Sequence, residues 1–305
     1  MHSFSIYLLA VGLLLCTACD WQAEDVGVTE TETGRLMLGS AEEERTAERS
    51  VSLEGRTLVL DGLDGDVNLQ GVRGDRANLT FTRLGRGADP DDARRVAGTI
   101  SLEEAGSEEQ FQYMLRAEEP KLSRVNIKGE VPARAPLNIK MAHADIRIDS
   151  VQAPLVIQSE HGPVHVQQAA GTVSVQLANG SIYLSLTEVG SDDEVSLKTK
   201  NGDITLRLPA DSEASVNAFT GTGEILTRNL TFEDKTLDRE GSGYEFSGVL
   251  NEGGASISLS TQNGTITITS LDAEEENGVE HRAFPEELFP VDPAPPQNQN
   301  GPDTD

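Results

Sequence analysis

Val195-Ser196-Leu197-Lys198-Thr199-Lys200-Asn201-Gly202-Asp203-Ile204-Thr205-Leu206-Arg207-Leu208 decides the fold. Apolar residues fall at every second position on both sides of Asn201-Gly202: Val195 and Leu197 before it, Ile204, Leu206 and Leu208 after it. Such alternation turns one face of each strand inward, and Asn-Gly tolerates the positive φ that a sharp bend requires. The same unit recurs at His143-Ala144-Asp145-Ile146, His161-Gly162-Pro163-Val164, Asn179-Gly180-Ser181-Ile182, Thr222-Gly223-Glu224-Ile225 and Asn263-Gly264-Thr265-Ile266. An earlier relative is Asp64-Gly65-Asp66-Val67. From Ile146 through Val164, Ile182, Ile204 and Ile225 to Ile266 the intervals are 18, 18, 22, 21 and 41 residues.

Asn-Gly between alternating runs is also a hairpin signal, so an antiparallel meander is the competing architecture. Hairpins need no fixed phase between successive turns. Units of near-constant length with the same inward positions can instead stack, each strand beside its equivalent one repeat later. The pattern predicts an all-β, parallel β-solenoid of short rungs, about seven of them rising roughly 30 Å at the usual strand spacing. The interval of 41 is close to two units and predicts one degenerate rung.

Residues 51–136 are less regular. Strands are expected at 58–60, 67–69, 79–81, 99–103, 111–115 and 125–128, and Asp89-Pro90 before 91–96 has the form of an N-capped helix. An open solenoid end would pair with another chain, so this stretch is read as a cap with the first rungs. The folded domain is assigned to residues 51–271.

The 305 residues include 24 Lys+Arg and 51 Asp+Glu, a net charge of −27. That balance argues against nucleic acid and against an electrostatic grip on anionic lipid, both of which need a basic face. Only 4% of residues are aromatic, and both cysteines, Cys16 and Cys19, lie near the N-terminus. A disulfide framework and a thiolate metal site are thereby excluded from the body. Residues 20–50 hold nine acids and three Arg, and 272–305 hold ten acids and one Arg. Residues 19–50 are read as a flexible acidic linker and 272–305 as a disordered acidic tail containing Pro290, Pro293, Pro295 and Pro296.

The N-terminus reads as a processing signal. Ile6 to Cys16 is an apolar run of signal-peptide length, too short to span a bilayer. Cys16-Thr17-Ala18-Cys19 resembles a bacterial lipobox, with small residues before a Cys that is acylated on sulfur and becomes the mature N-terminus. Residues 1–18 would then be the signal peptide and Cys19 the lipidation site, giving a membrane anchor worth about 0.8 kcal/mol per buried CH₂. Cys16 stands where an aliphatic residue is usual and the leader lacks Lys and Arg, so an ordinary secretory signal is the alternative. Asp20 resembles the inner-membrane retention signal of enteric lipoproteins. The expected location is the cell envelope, lipid-anchored on the exported side, with inner or outer membrane undecided.

Residues 51–271 resemble a bacterial family of putative adhesins, domains of unknown function related to the head domains of autotransporter-like proteins. The resemblance is carried by 195–210, by Ser258-Leu259-Ser260-Thr261-Gln262-Asn263-Gly264-Thr265-Ile266-Thr267-Ile268, and by Val131-Pro132-Ala133. It implies a β-solenoid with an adhesion-like role and brings no catalytic residue to carry over. Ala144 and Pro163 depart from the turn pattern and predict irregular geometry in their two rungs.

Three groups bear on chemistry. His143 and His161 are one repeat apart with His165 nearby, a possible metal set; Asn179 and Asn201 take the same place in later rungs, which favours a polar turn ladder. Asp145 and Asp203 share a turn position but are separated by Pro163 and Ser181, so they form no acidic stripe. Asp192-Asp193-Glu194 is read as a solvated loop rather than a Ca²⁺ site. No catalytic or metal residue and no cofactor is assigned, and neither Gly-x-Ser-x-Gly nor a phosphate-binding glycine loop occurs. The expectation is a non-enzymatic envelope protein whose β scaffold binds an unidentified protein or glycan. The alternatives are a carbohydrate-active solenoid enzyme and an accessory or sensor subunit of a membrane complex.

Overall fold

Each repeat makes two strands. Leu155–His161 runs along a first sheet, the chain turns at Gly162-Pro163, and Val164–Ala170 returns along a second. Gly171-Thr172 then leads into Val173–Asn179, back on the first sheet. The computed structural model describes residues 28–30, 36–38 and 41–271. Successive repeats pair in parallel, as the stacking argument requires: Leu155 faces Val173 and Ser159 faces Leu177 on the first sheet, and Val164 faces Ile182 on the second.

Eight coils stack among the described residues. In spatial order the first sheet takes 110–116, 57–61, 137–143, 155–161, 173–179, 194–201, 255–263 and 214–222. The second takes 123–132, 67–72, 146–149, 164–170, 182–188, 204–208, 266–270 and 225–228. The order is sequential only in the middle. At each end the outermost coil is made before its inner neighbour or after it: 110–132 lies outside 57–72, and 214–228 lies outside 255–270.

The core lies between the sheets. Ile204, Leu206 and Leu208 are fully buried, as are their equivalents in neighbouring coils, so the inward columns run unbroken through the stack. Removing a buried aliphatic side chain from such a column costs about 2–5 kcal/mol. The corners are tight. Gly202 has φ +148°, and a Cβ there would sit 2.2 Å from the carbonyl oxygen of Gly180. Inward threonines tie the same carbonyls down, with Thr199 Oγ1 donating to Gly180 O at 3.0 Å and Thr261 Oγ1 to Gly202 O at 3.0 Å.

The turns at Ala144 and Pro163 are regular, and the irregularity in the Pro163 rung lies farther on, as a bulge between Val166 and Ala169 with Gln168 at φ +50°. Ala144 is buried and donates its N–H to His161 O at 2.9 Å, and His143, His161 and Asn179 stay in register. In other coils the third corner residue sends its N–H to a neighbouring side chain: Asp203 to Ser181 Oγ and Thr265 to Asp203 Oδ1. Proline in that place therefore costs no ladder bond.

The degenerate rung is also corrected. Residues between 228 and 255 form an antiparallel hairpin, Phe232–Glu240 with Gly243–Leu250, which extends the first sheet beyond Ala214–Thr222. The hairpin closes the end of the core: Phe246 is buried, Phe232 packs edge-on against it at 5.1 Å, and Lys235 Nζ donates to Thr227 Oγ1 across to the second sheet. The coil that completes the count is 255–270, inserted one place inward.

At the other end the cap is as expected, and larger. Strand Ala41–Ser52 pairs antiparallel with Arg76–Gly87, so residues 41–50 belong to the sheet and not to a flexible linker. Helix Pro90–Thr99 is capped by Asp89, whose carboxylate accepts from Asp92 N–H, and it buries Ala93, Val96 and Ala97. The Arg95 guanidinium, and then the Ala88 N–H, hold the Asp92 carboxyl below its ordinary range. Beneath the cap, Tyr113 packs on Phe81 at 5.0 Å and Phe111 at 5.2 Å. Burial, helped by the nearby Glu104 carboxylate, pushes the Tyr113 phenol up to about 12. Two of the four outer edges of the large sheets are densely charged, Glu42, Glu43, Glu44, Arg45, Glu48 and Arg49 on one and Glu233, Asp234 and Lys235 on the other, the latter beside a bulge. Such edges resist pairing with a second chain.

Candidate functional site

The polar residues that the turns bring together form a ladder along one corner of the stack. Asn263 Nδ2 donates to Asn201 Oδ1 at 2.7 Å, and Asn201 Nδ2 donates to Asn179 Oδ1 at 2.7 Å. Asn179 Nδ2 then meets His161 Nε2 at 3.2 Å, which makes that nitrogen the acceptor. His161 stacks on His143 with ring centroids 4.6 Å apart and 12° between planes, and His143 Nδ1 lies 2.9 Å from Asp64 Oδ1. The repeat pattern places Asp64 at a turn, and the stacking brings its carboxylate to His143.

His165 does not join them. It faces out of the second sheet and stacks on Tyr183 at 6.0 Å. The two stacked imidazoles present parallel rings with one nitrogen of each already engaged, so their lone pairs do not converge as a tetrahedral metal site needs. Among the described residues no group of three or more His, Cys, Asp or Glu could hold a metal ion. Asp145 pairs with Arg147 at 2.5 Å, and Asp193 closes its own turn, accepting from Gly190 N–H at 2.7 Å. Asp203 caps the Thr265 amide. These three carboxylates each have a structural use. Cys19 lies outside the described residues, as do residues 1–18, read from the sequence as a signal peptide, and residues 272–305.

A second constellation lies on the outward face of the first sheet. Register places Lys140, Gln158, Gln176 and Lys198 in one row across four strands. Beside this row the outward positions are Ala142, Glu160, Ala178 and Lys200, and the short alanines leave a shallow groove of about 570 Å³. None of the three lysines forms an ion pair or side-chain hydrogen bond among the described residues, whereas Asp61 at the groove's end is held by Arg116 at 2.9 Å. The row could be found from sequence: Lys140, Gln158, Gln176 and Lys198 are separated by 18, 18 and 22 residues, the same intervals as the corner residues.

A third feature is the buried cation Arg86 in the cap, ion-paired with Glu42. Burial, and then the Arg124 guanidinium, pull its proton affinity below the usual arginine range. Arg124 itself is tied to Asp66 at 2.5 Å.

A search among curated proteins returns no match. Among solved structures, a putative cell adhesion protein from Clostridium sporogenes aligns at 12% identity and a TM-score of 0.42, over 75% of this chain and 100% of that one. A putative adhesin from Bacteroides fragilis aligns at 13% identity and 0.36, over 74% and 97%. A putative lipid binding protein from Parabacteroides distasonis aligns at 12% identity and 0.27, over 74% and 96%. The family model described as Toastrack DUF4097 matches residues 22–269. That match takes in the cap, every coil and the closing hairpin, and the chain belongs to the Toastrack DUF4097 family.

Proposed function

We propose that the protein is an exported, lipid-anchored envelope protein whose stacked β domain is a non-enzymatic binding scaffold. The observation that supports this most is the division of labour in the coils. Inward positions fill a continuous core, corner polar groups bond along a ladder in which, among the described residues, His161 Nδ1 alone of the His and Asn nitrogens is buried without a partner, and outward positions present flat rows of side chains. The carboxylates and imidazoles that a hydrolytic reading would recruit are occupied in ion pairs, turns and stacking. A flat sheet face with regularly spaced side chains suits recognition of an extended partner. Acylation at Cys19 would hold such a face at the membrane, with the acidic stretch after it as the spacer.

The anchor and the scaffold are tested together in intact cells. Photo-crosslinking residues are placed singly at outward positions of each sheet, such as Ser258 on the first and Thr267 on the second, in native and Cys19→Ala backgrounds. The expected outcome is a partner captured from one sheet face only, with Cys19→Ala released to a soluble exported fraction or left unprocessed. Capture from neither face would overturn the scaffold reading. Unchanged processing and membrane partition of Cys19→Ala would overturn the anchor.

A further inference from the structure

The first sheet's outward face is unlike the rest of the molecule in charge. Over the strands 137–143, 155–161, 173–179, 194–201 and 255–263, its outward positions carry Lys140, Lys198 and Lys200 against Glu160 and Glu194. In the whole chain acids outnumber bases 51 to 24, and there are six lysines. Half of the lysines therefore stand, without an ion pair among the described residues, on one patch where the chain's excess of acid is absent, since Asp61, opposite Lys140 on the next strand, is held by Arg116. A lysine pays side-chain entropy only when it is ordered, so an unpaired ammonium on a rigid strand is available to an incoming anion.

Geometry narrows the anion. Lys140 and Lys198 lie at the two ends of one row with Gln158 and Gln176 between them, three strand spacings apart or roughly 14 Å. All the backbone groups of these strands are used in the ladder, so a peptide could not add to the sheet here as it does at an edge. Only side chains are offered, and they alternate in kind. Each glutamine presents both a carbonyl acceptor and an NH₂ donor, which is what a sugar hydroxyl requires. A pyranose residue in an extended chain advances by nearly one strand spacing, so successive sugars can meet successive strands. Ala142 and Ala178 keep the neighbouring positions low enough for the rings to lie in the groove, and Glu160 between them can accept from a ring hydroxyl.

We propose that the row Lys140–Gln158–Gln176–Lys198, with Lys200 beside it, binds an extended acidic polysaccharide laid across the strands. Carboxylates or sulfates of the polymer meet the lysines at the ends of the row, and ring hydroxyls meet the two amides. This assignment rests on the binding-scaffold reading and names its partner. The chain's overall negative charge does not forbid it, because charges more than about 8 Å away are largely screened at physiological ionic strength.

The test uses the full mature chain and three probes: polygalacturonate, neutral dextran and poly-L-glutamate. Polygalacturonate should bind, more weakly as salt rises, and dextran and poly-L-glutamate should bind much less. Lys140→Gln/Lys198→Gln/Lys200→Gln should lose about tenfold in affinity with unchanged thermal stability. Gln158→Ala/Gln176→Ala should also weaken polygalacturonate binding, while Thr267→Ala/Thr269→Ala on the opposite sheet should not. Absence of polygalacturonate binding at low salt would overturn the proposal. So would full binding by the triple lysine variant, or equal affinity for dextran or poly-L-glutamate. A partner crosslinked to this face in cells without polygalacturonate binding would remove the polysaccharide assignment and leave the scaffold reading standing.

Discussion

Gly202→Ala isolates the constraint that acts at the corners where the stack uses glycine, in contrast to the corner at Ala144. At φ +148° an L-residue is strained, at about 1–3 kcal/mol. The added methyl would also lie 2.2 Å from Gly180 O, far inside any tolerable carbon–oxygen approach. Relief requires parting two coils by about 1 Å at a point flanked by two ladder bonds, Gly180 N–H to Asn201 O and Ile182 N–H to Asp203 O, both 2.8 Å. Weakening both adds about 1–3 kcal/mol, for a total of about 4 kcal/mol. Gly74 is the control: its φ is +134°, but nothing lies within 4 Å of its Cβ position. Gly74→Ala should carry the backbone cost alone, about 2 kcal/mol. Urea unfolding followed by circular dichroism reads the difference as a midpoint lower by about 1 M for Gly202→Ala than for Gly74→Ala. Equal midpoints for the two variants would refute the argument that coil-to-coil contact, and not φ alone, demands glycine at the corner.

Further outcomes follow from the core, the ladder and the cap. Leu206→Ala, at a fully buried position, should cost about 2–5 kcal/mol in urea unfolding, while outward Thr205→Ala should cost under about 0.5. Asn201→Ala breaks two side-chain bonds of the corner ladder and should cost about 1–2 kcal/mol; a neutral result would mean that solvent replaces the ladder without loss. Tyr113 stays neutral in the folded state to higher pH than in the unfolded chain, so its contribution to stability should be constant below pH 10 and fall by up to about 3 kcal/mol between pH 10 and about 12. Tyr113→Phe should remove that part of the alkaline fall in a pH series of urea melts. Replacing His143, His161 and His165 together by Gln should leave partner capture in cells intact once protein abundance is matched; loss of capture would restore a chemical role to the imidazoles.

Periodicity carried the central coils because there each residue does what its position in the repeat dictates. Ile146, Val164, Ile182 and Ile204 are all inward, and the intervals between them translate directly into register. The ends resisted reading for a physical reason. The intervals locate strands along the chain but not the order in which they stack, so 225 to 266 looked like two units when a hairpin and an inserted coil fill the gap. Strand Ala41–Ser52 was hidden by the composition that makes it a good edge: alternating charged residues read as linker when no partner strand is in view. The Lys140–Lys198 row was legible through its intervals, but lysine and glutamine on an outward face look ordinary until the surrounding excess of acid is set against them. Asp64 was recognised as a turn residue, and only stacking shows that it meets His143.

The displaced order of the last coils bears on how the chain matures. A chain synthesised N-terminus first delivers 214–228 before 255–270, yet the native neighbour of 214–222 on the stack is 255–263. Until that segment arrives, the coil 194–208 shows an unfilled parallel edge and 214–228 has only its hairpin to hold. Closure thus waits for nearly the whole domain. A product clipped or terminated before residue 255 keeps most of the sequence but is left with a gap inside the stack and not merely a shorter stack. Such a fragment exposes two unpaired strand edges to proteases and to other chains, so the fold discriminates complete copies from incomplete ones.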